Sequence, residues 1–324
     1  MEWQERITMN RFAVLGRVGM DLYADPPGSD MASATAFFPA IGGSAGNIAV
    51  ALARQGAGAA LVSRVSDDAV GRYCLDALAG YGVAVNHVAK SGGQTRTSLA
   101  VTETRLAPAT VLYRNDAADF ALADQDIATI DFAAFGALIV TGTALAAEPS
   151  RSATLLALDK ARAAGALCVL DIDHRRYSWT SDDEARLHYG AAVARSDVVI
   201  GNDEEFALLA GSSQAALAYA QGLAQGRAFV VFKKGPDGAT TFVHRVQIET
   251  PIYRVDALKP MGSGDGFMGG LMAALARGLP LNDALSHGAA TAAIIVAGIG
   301  CAPASPDLAA LRRFIKDHHA HPAP

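Results

Sequence analysis

The stretch Lys259-Pro260-Met261-Gly262-Ser263-Gly264-Asp265-Gly266-Phe267-Met268-Gly269-Gly270 leads into a helical run, GDGFMGGLMAALARG, over 264–278. A helix N-terminus presents backbone N–H groups without intrahelical partners at the positive end of the dipole, and so favours an anion such as a phosphate. Gly262 and Gly264 carry no Cβ and let that anion approach the backbone, with Ser263 between them. Asp265 then places a negative group where the phosphate would sit. Two readings stand. Asp265 takes a proton from a nucleophile that attacks the phosphate, or it merely caps the helix, a common role of Asp.

The rest of the 324-residue chain narrows the class. With 51% hydrophobic and 18% charged residues, it can bury a large core. Net charge is −5, and the 27 Lys and Arg form no basic stripe, so nucleic acid is not an expected partner. No apolar run reaches membrane-spanning length, and MEWQERITMNR lacks a signal-peptide core, so a cytoplasmic protein is expected. Cys74, Cys168 and Cys301 are odd in number and far apart, which predicts reduced thiols rather than disulfides or a zinc set. His318, His319 and His321 read as a solvated tail.

Apolar strand-like runs fall at 12–16, 59–65, 136–141, 166–172, 197–201, 228–233 and 239–243. Helical stretches lie between them, near 44–55, 69–81, 151–164, 183–195, 203–210, 214–225, 264–277 and 283–297. Continuous apolar strands alternating with helices predict an α/β fold: a central, mostly parallel sheet with helices on both faces. Segments 24–41 and 94–115 break the alternation with short β-prone pieces, and predict a small β-sheet lid outside the main one. No linker divides the chain, so 11–320 is expected to be a single domain. An exposed apolar lid, with FFPAI at 37–41 as one edge, would suit a homodimer.

Open parallel sheets bind ligands beyond the carboxyl ends of their strands. That rule collects Asp21 after the first strand, and Gly42, Gly43 and Asn47 where the lid returns to the first long helix. It adds Asp171, Asp173 and Arg175 after ALCVL, Asn202 and Glu205 after DVVIG, and Gly235 and Gly238 after AFVVFKK, whose first lysine is Lys233. Taken singly, each has a structural reading as a turn glycine or a helix cap.

These residues resemble the ribokinase-like (PfkB) carbohydrate kinases. Gly42-Gly43-Ser44-Ala45-Gly46-Asn47-Ile48-Ala49 with Gly56 matches one family signature, and 259–270 matches the other. Asn202-Asp203-Glu204-Glu205 and the Gly235–Gly238 turn match in order and spacing. Within the family, GRVGMDLYADPPG (16–28), VSDDAVGRYC (65–74), YRNDAADF (113–120) and DIDHRRYSW (171–179) are similar to kinases of inositol catabolism. The resemblance implies a ribokinase-like fold and transfer of the ATP γ-phosphate to the terminal hydroxyl of 5-dehydro-2-deoxy-D-gluconate. Kinases of 2-keto-3-deoxygluconate or fructose are the nearest alternatives, and a non-catalytic sugar or nucleotide sensor is the alternative of another class. A dinucleotide oxidoreductase is excluded, because GRVGMD after the first strand lacks the Gly-x-Gly-x-x-Gly turn.

The resemblance also implies roles. Asp265 would be the general base, and the backbone of Gly262, Ser263, Gly264 and Asp265 the anion hole. Asn202 and Glu205 would organise Mg²⁺ through water, with Glu205 the metal-side carboxylate. Lys233, Gly235 and Gly238 would lie against the nucleotide. Asp21, Gly42, Gly43, Asn47 and Asp171 would face the substrate. A sugar acid needs a cation for its carboxylate, for which Arg114 and Arg175 are candidates and Arg96 a third. Many family members have Asp-Thr-Thr where this chain has Lys259-Pro260-Met261, a region that helps them hold a monovalent cation. Lys259 is therefore expected to supply that positive charge itself.

Overall fold

All seven apolar runs become strands of one sheet in a computed structural model, which describes residues 3–105, 108–259 and 261–318. Pro260, His319 and His321 lie outside the described residues. In chain order the strands are β1 (Arg11–Leu15), β2 (Gly19–Asp25), β3 (Ala36–Gly42), β4 (Gly58–Ser66), β5 (Ala84–Ser91), β6 (Ser98–Thr102), β7 (Thr110–Tyr113), β8 (Ala137–Thr141), β9 (Leu167–Asp171), β10 (Val198–Asn202), β11 (Phe229–Lys233), β12 (Ala239–Val243) and β13 (Val246–Thr250). Nine of them form the sheet β13-β12-β11-β10-β9-β8-β1-β4-β5. Neighbours from β5 to β11 pair in parallel, and β12 and β13 close the far edge antiparallel. The sheet is covered on both faces, as the alternation along β1 shows. Phe12 and Val14 join one apolar cluster, with helices Ser44–Arg54 and Ser263–Ala276, while Ala13 and Leu15 join the other, with helices Ser150–Ala163 and Asp182–Val193.

Two edge strands escape the sequence reading. β5 and β13 each have solvent along one side, so their residues mix polar with apolar and leave no continuous apolar run. The small sheet, in order β3-β2-β6-β7, begins at Gly19, earlier than the expected 24. β2 pairs antiparallel with β3 but parallel with β6, and β6 pairs antiparallel with β7. The helix Leu308–Asp317 was not expected. Leu311 is its one fully buried residue, and Phe314 and Ile315 pack beside it against the cluster of Tyr253, Ala290 and Ala293, an amphipathic pattern that the sequence does carry. His318, just beyond it, stacks on Phe314.

Two helices set the site. Ser263–Ala276 lies against Ser44–Arg54, and a Cβ on Gly269 would overlap that of Ala51, so the glycine lets the backbones come close. Met268, Leu271 and Met272 are wholly buried, each worth about 1.5–3 kcal/mol. A valine at 269 would force the pair apart. Cys74, Cys168 and Cys301 are buried and free. Among the described residues, no helix is long and apolar enough to cross a membrane.

Candidate active site

The parallel strands end in functional side chains: Asp171 closes β9, Asn202 closes β10 and Lys233 closes β11. Lys233 Nζ lies 3.5 Å from Asp171 Oδ1 and reaches the N-terminus of helix Ser263–Ala276, where a Cβ on Gly264 would stand 3.2 Å from it. Burial works against the Lys233 ammonium, but Asp171, Glu205, Asp173 and Asp265 together hold its pKa above the ordinary value.

Gly262 is the N-cap of that helix, with φ +83, and no side chain caps it. A left-handed backbone suits glycine, and here a Cβ would also overlap Cys301 Sγ. The first intrahelical bond runs from Gly266 N–H to Gly262 O at 3.0 Å, so the N–H groups of Gly264 and Asp265 precede the ladder. Asp265 is the third helical residue and does not cap. The capping reading is thereby corrected: the side chain turns to helix Ser44–Arg54, where Asn47 Nδ2 donates to Oδ2 at 2.8 Å. Burial, then the charge of Asp173, pushes Asp265 up to about 7. Burial does the same for Asp171, and the charges of Glu205 and Asp173 add to it.

Asn202 and Glu205 form a reciprocal cap. Asn202 Oδ1 accepts from Glu205 N–H at 2.8 Å, and Glu205 Oε2 accepts from Asn202 N–H at 2.7 Å. Glu205 Oε1 accepts from His174 N–H at 2.8 Å, which fastens the loop after β9. Each Glu205 oxygen thus already accepts one backbone N–H. That loop turns at Asp173, left-handed at φ +41, whose Oδ1 meets Arg175 Nη2 at 2.7 Å while its buried Oδ2 has no partner. The Asp173 charge holds the Arg175 guanidinium well above its usual range.

A divalent cation fits this corner. Four carboxylates (Asp171, Asp173, Glu205, Asp265) face two cations (Lys233, Arg175), and one buried carboxylate oxygen is unpartnered. Among the described residues no three side chains form a metal cage, so a cation would be held largely by water and phosphate oxygens.

Asp21 stands on β2, not after β1, and a Cβ on Gly42 would overlap its carboxylate. Tyr23 OH donates to Asp21 Oδ2 at 3.1 Å. Burial raises Asp21, while Arg17, Tyr23 and Lys259 act against that. Gly43, at φ +86, is the uncapped N-cap of helix Ser44–Arg54. Asn47 Oδ1 is buried without a partner, open to a hydroxyl donor. Lys259 is 5% exposed; its Nζ donates to Met261 O at 3.0 Å and lies 3.3 Å from Cys301 Sγ.

Not every candidate faces the cleft unencumbered. Arg114 donates from Nε and Nη2 to Asp119 Oδ2, at 3.2 and 2.5 Å, and from Nη2 to Thr143 O at 3.0 Å. Its charge has an internal partner, and Nη1 alone is left over. Arg175 is likewise paired, with Asp173. Gly235 and Gly238 sit at the rim beyond Lys233, in a turn closed by Lys234 N–H to Gly238 O at 2.8 Å. The sequence reading passed over Arg17, Thr143 and Cys301. Arg17 and Thr143, each two residues beyond a strand end (β1 and β8), carried a signal that could have found them.

The chain belongs to the pfkB family of carbohydrate kinases, whose family model matches residues 9–308. Among its relatives, a protein of Photobacterium profundum named 5-dehydro-2-deoxygluconokinase is 40% identical over 312 residues, covering 94% of each chain. One of the same name from Geobacillus kaustophilus is 33% identical, over 95% of this chain and 94% of that one. A double mutant of Vibrio cholerae fructokinase, solved with fructose, ADP and a potassium ion bound, is similar with a TM-score of 0.83 and 26% identity, covering 95% and 98%.

Proposed function

We propose that this sugar kinase phosphorylates the terminal hydroxyl of a sugar acid, 5-dehydro-2-deoxy-D-gluconate, with ATP and Mg²⁺. The observation that carries the chemistry is Asp265: a carboxylate in the first turn of a helix whose N-terminus no side chain caps, hydrogen-bonded by Asn47, with a pKa raised towards neutrality. A base near pH 7 is matched to taking a hydroxyl proton. The substrate is inferred from the names of the 40% and 33% identical relatives.

Asp265 accepts the proton of the hydroxyl as its oxygen attacks the γ-phosphorus and the bond to the ADP oxygen breaks. The N–H groups of Gly264 and Asp265 and the Lys233 ammonium face the charge on the transferring group. Glu205 and Asp171 would hold Mg²⁺ through water, together with phosphate oxygens, and the ion would supply further charge neutralisation. Asp21 and Asn47 hold substrate hydroxyls. Gly235 and Gly238 border the nucleotide. Phe37 and Phe38 on β3 and Val111 and Tyr113 on β7 are exposed, which supports a homodimer through the small sheet. Three buried free thiols suit a cytoplasmic location.

The test is ADP release with 5-dehydro-2-deoxygluconate, 2-keto-3-deoxygluconate and fructose compared. The reading expects kcat/KM highest for the first. Turnover of the others alone would move the substrate assignment, and no turnover of any would favour a non-catalytic sensor.

A further inference from the structure

Four arginines stand at or beside the cleft, and three have a carboxylate of their own. Arg114 meets Asp119, Arg175 meets Asp173, and Arg96 Nε lies 3.9 Å from Asp68 Oδ2. Arg17 differs. Its Nη1 donates to Ser98 Oγ at 3.2 Å, and among the described residues no carboxylate oxygen lies within 4.0 Å of it. A half-buried guanidinium with most of its donors uncommitted is poised for an anion from outside the chain.

Its position is defined by backbone and register. Arg17 lies in the turn between β1 and β2, and its carbonyl accepts from Gly46 N–H at 3.3 Å, at the start of helix Ser44–Arg54. Ser98 is the register partner of Gly19 in the parallel β2–β6 pair, so Ser98, Gly19 and Asp21 share one face of the small sheet. Ser98 therefore holds the Arg17 guanidinium on the Asp21 face, and the charge of Arg17 acts on Asp21. The same corner carries the uncapped start of helix Ser44–Arg54, and the unpartnered Asn47 Oδ1 stands in its first turn.

We propose that Arg17 is the residue that selects an acid over a neutral sugar: Ser98 steadies its guanidinium through Nη1, and the remaining N–H donors take the substrate carboxylate. This rests on the sugar-acid reading above and deepens it. The chain then has an anion site for each end of the acceptor, with Arg17 at the carboxylate end and the Gly262–Asp265 helix start at the hydroxyl end. Arg114 and Arg175, already neutralised by Asp119 and Asp173, shape the pocket without supplying its net charge.

The experiment compares wild type, Arg17→Gln and Arg17→Lys in the full chain, with 5-dehydro-2-deoxygluconate and with fructose as a neutral acceptor. KM for ATP and the melting temperature serve as controls. Losing a charge-assisted pair should raise KM for the acid roughly 100-fold in Arg17→Gln, while kcat, KM for ATP and kcat/KM for fructose change only several-fold. Arg17→Lys should recover part of the acid preference. Should Arg17→Gln fail to fold, Ser98→Ala, which removes only the Nη1 brace, should lower acid preference in the same direction. Equal losses on acid and neutral sugar, as from a brace of the small sheet, would overturn the assignment. A wild type that phosphorylates neutral sugars alone would instead overturn the sugar-acid reading itself.

Discussion

Asp265→Asn should make the folded protein more stable at pH 8 while it destroys activity. Burial and the Asp173 charge raise this carboxyl from its ordinary 3.8 to about 7. The folded state therefore binds the proton more tightly than the unfolded chain does. Between about pH 4 and pH 7 the native state holds the extra proton, so stability falls as pH rises through that window. At ~1.4 kcal/mol per tenfold, the full cost above pH 7 is on the order of 4 kcal/mol. An asparagine carries no charge to bury, and its Oδ1 can still accept from Asn47 Nδ2, so the substitution relieves the cost while keeping that hydrogen bond. At pH 5.5 the wild-type proton is largely in place in the native state, and the gain should shrink to about 2 kcal/mol. Urea unfolding of both proteins at the two pH values measures it. No gain at pH 8, or the same gain at both, would refute the argument that the site holds this charge at a cost.

Further predictions follow from the same geometry. kcat/KM should fall about tenfold per pH unit below pH 7, because the base must be ionised, and Asp173→Asn should move that limb to lower pH by removing a charge that raises Asp265; a pH–rate profile reads both. With the buried Lys259 ammonium bonded to Met261 O beside the anion hole, turnover should be nearly the same in K⁺ and Na⁺, and a manyfold rise in K⁺ would contradict this. Gly262→Ala should cost roughly 1–2 kcal/mol of stability from the left-handed backbone alone, and more from its overlap with Cys301 Sγ, with turnover falling further than stability accounts for.

The central strands were legible because burial on both faces keeps runs such as ALIV and LCVL apolar until the carboxyl end, where Thr141 and Asp171 turn polar. β5 and β13 were not, since an edge strand has no such requirement. At the site, the small residues and the carboxylate of 262–265 could be read as an anion cradle, but spacing alone could not decide whether Asp265 capped its helix. The answer lies in Asn47, 218 positions away in the chain. Arg114 illustrates the opposite limit. A cation beside a pocket reads as a ligand until its partner is known, and Asp119, five residues on, becomes a partner only through the turn that folds it back. Arg17 was overlooked because nothing in GRVGMD says that its guanidinium finds a serine and no acid.

The central claim is that Asp265 is the base of a sugar-acid kinase, and ADP release from 5-dehydro-2-deoxygluconate by wild type and Asp265→Asn tests it most directly. The account predicts that the variant loses roughly 10²–10⁴-fold in kcat while it binds ATP as wild type does. A variant that keeps turnover within a few-fold of wild type would contradict it.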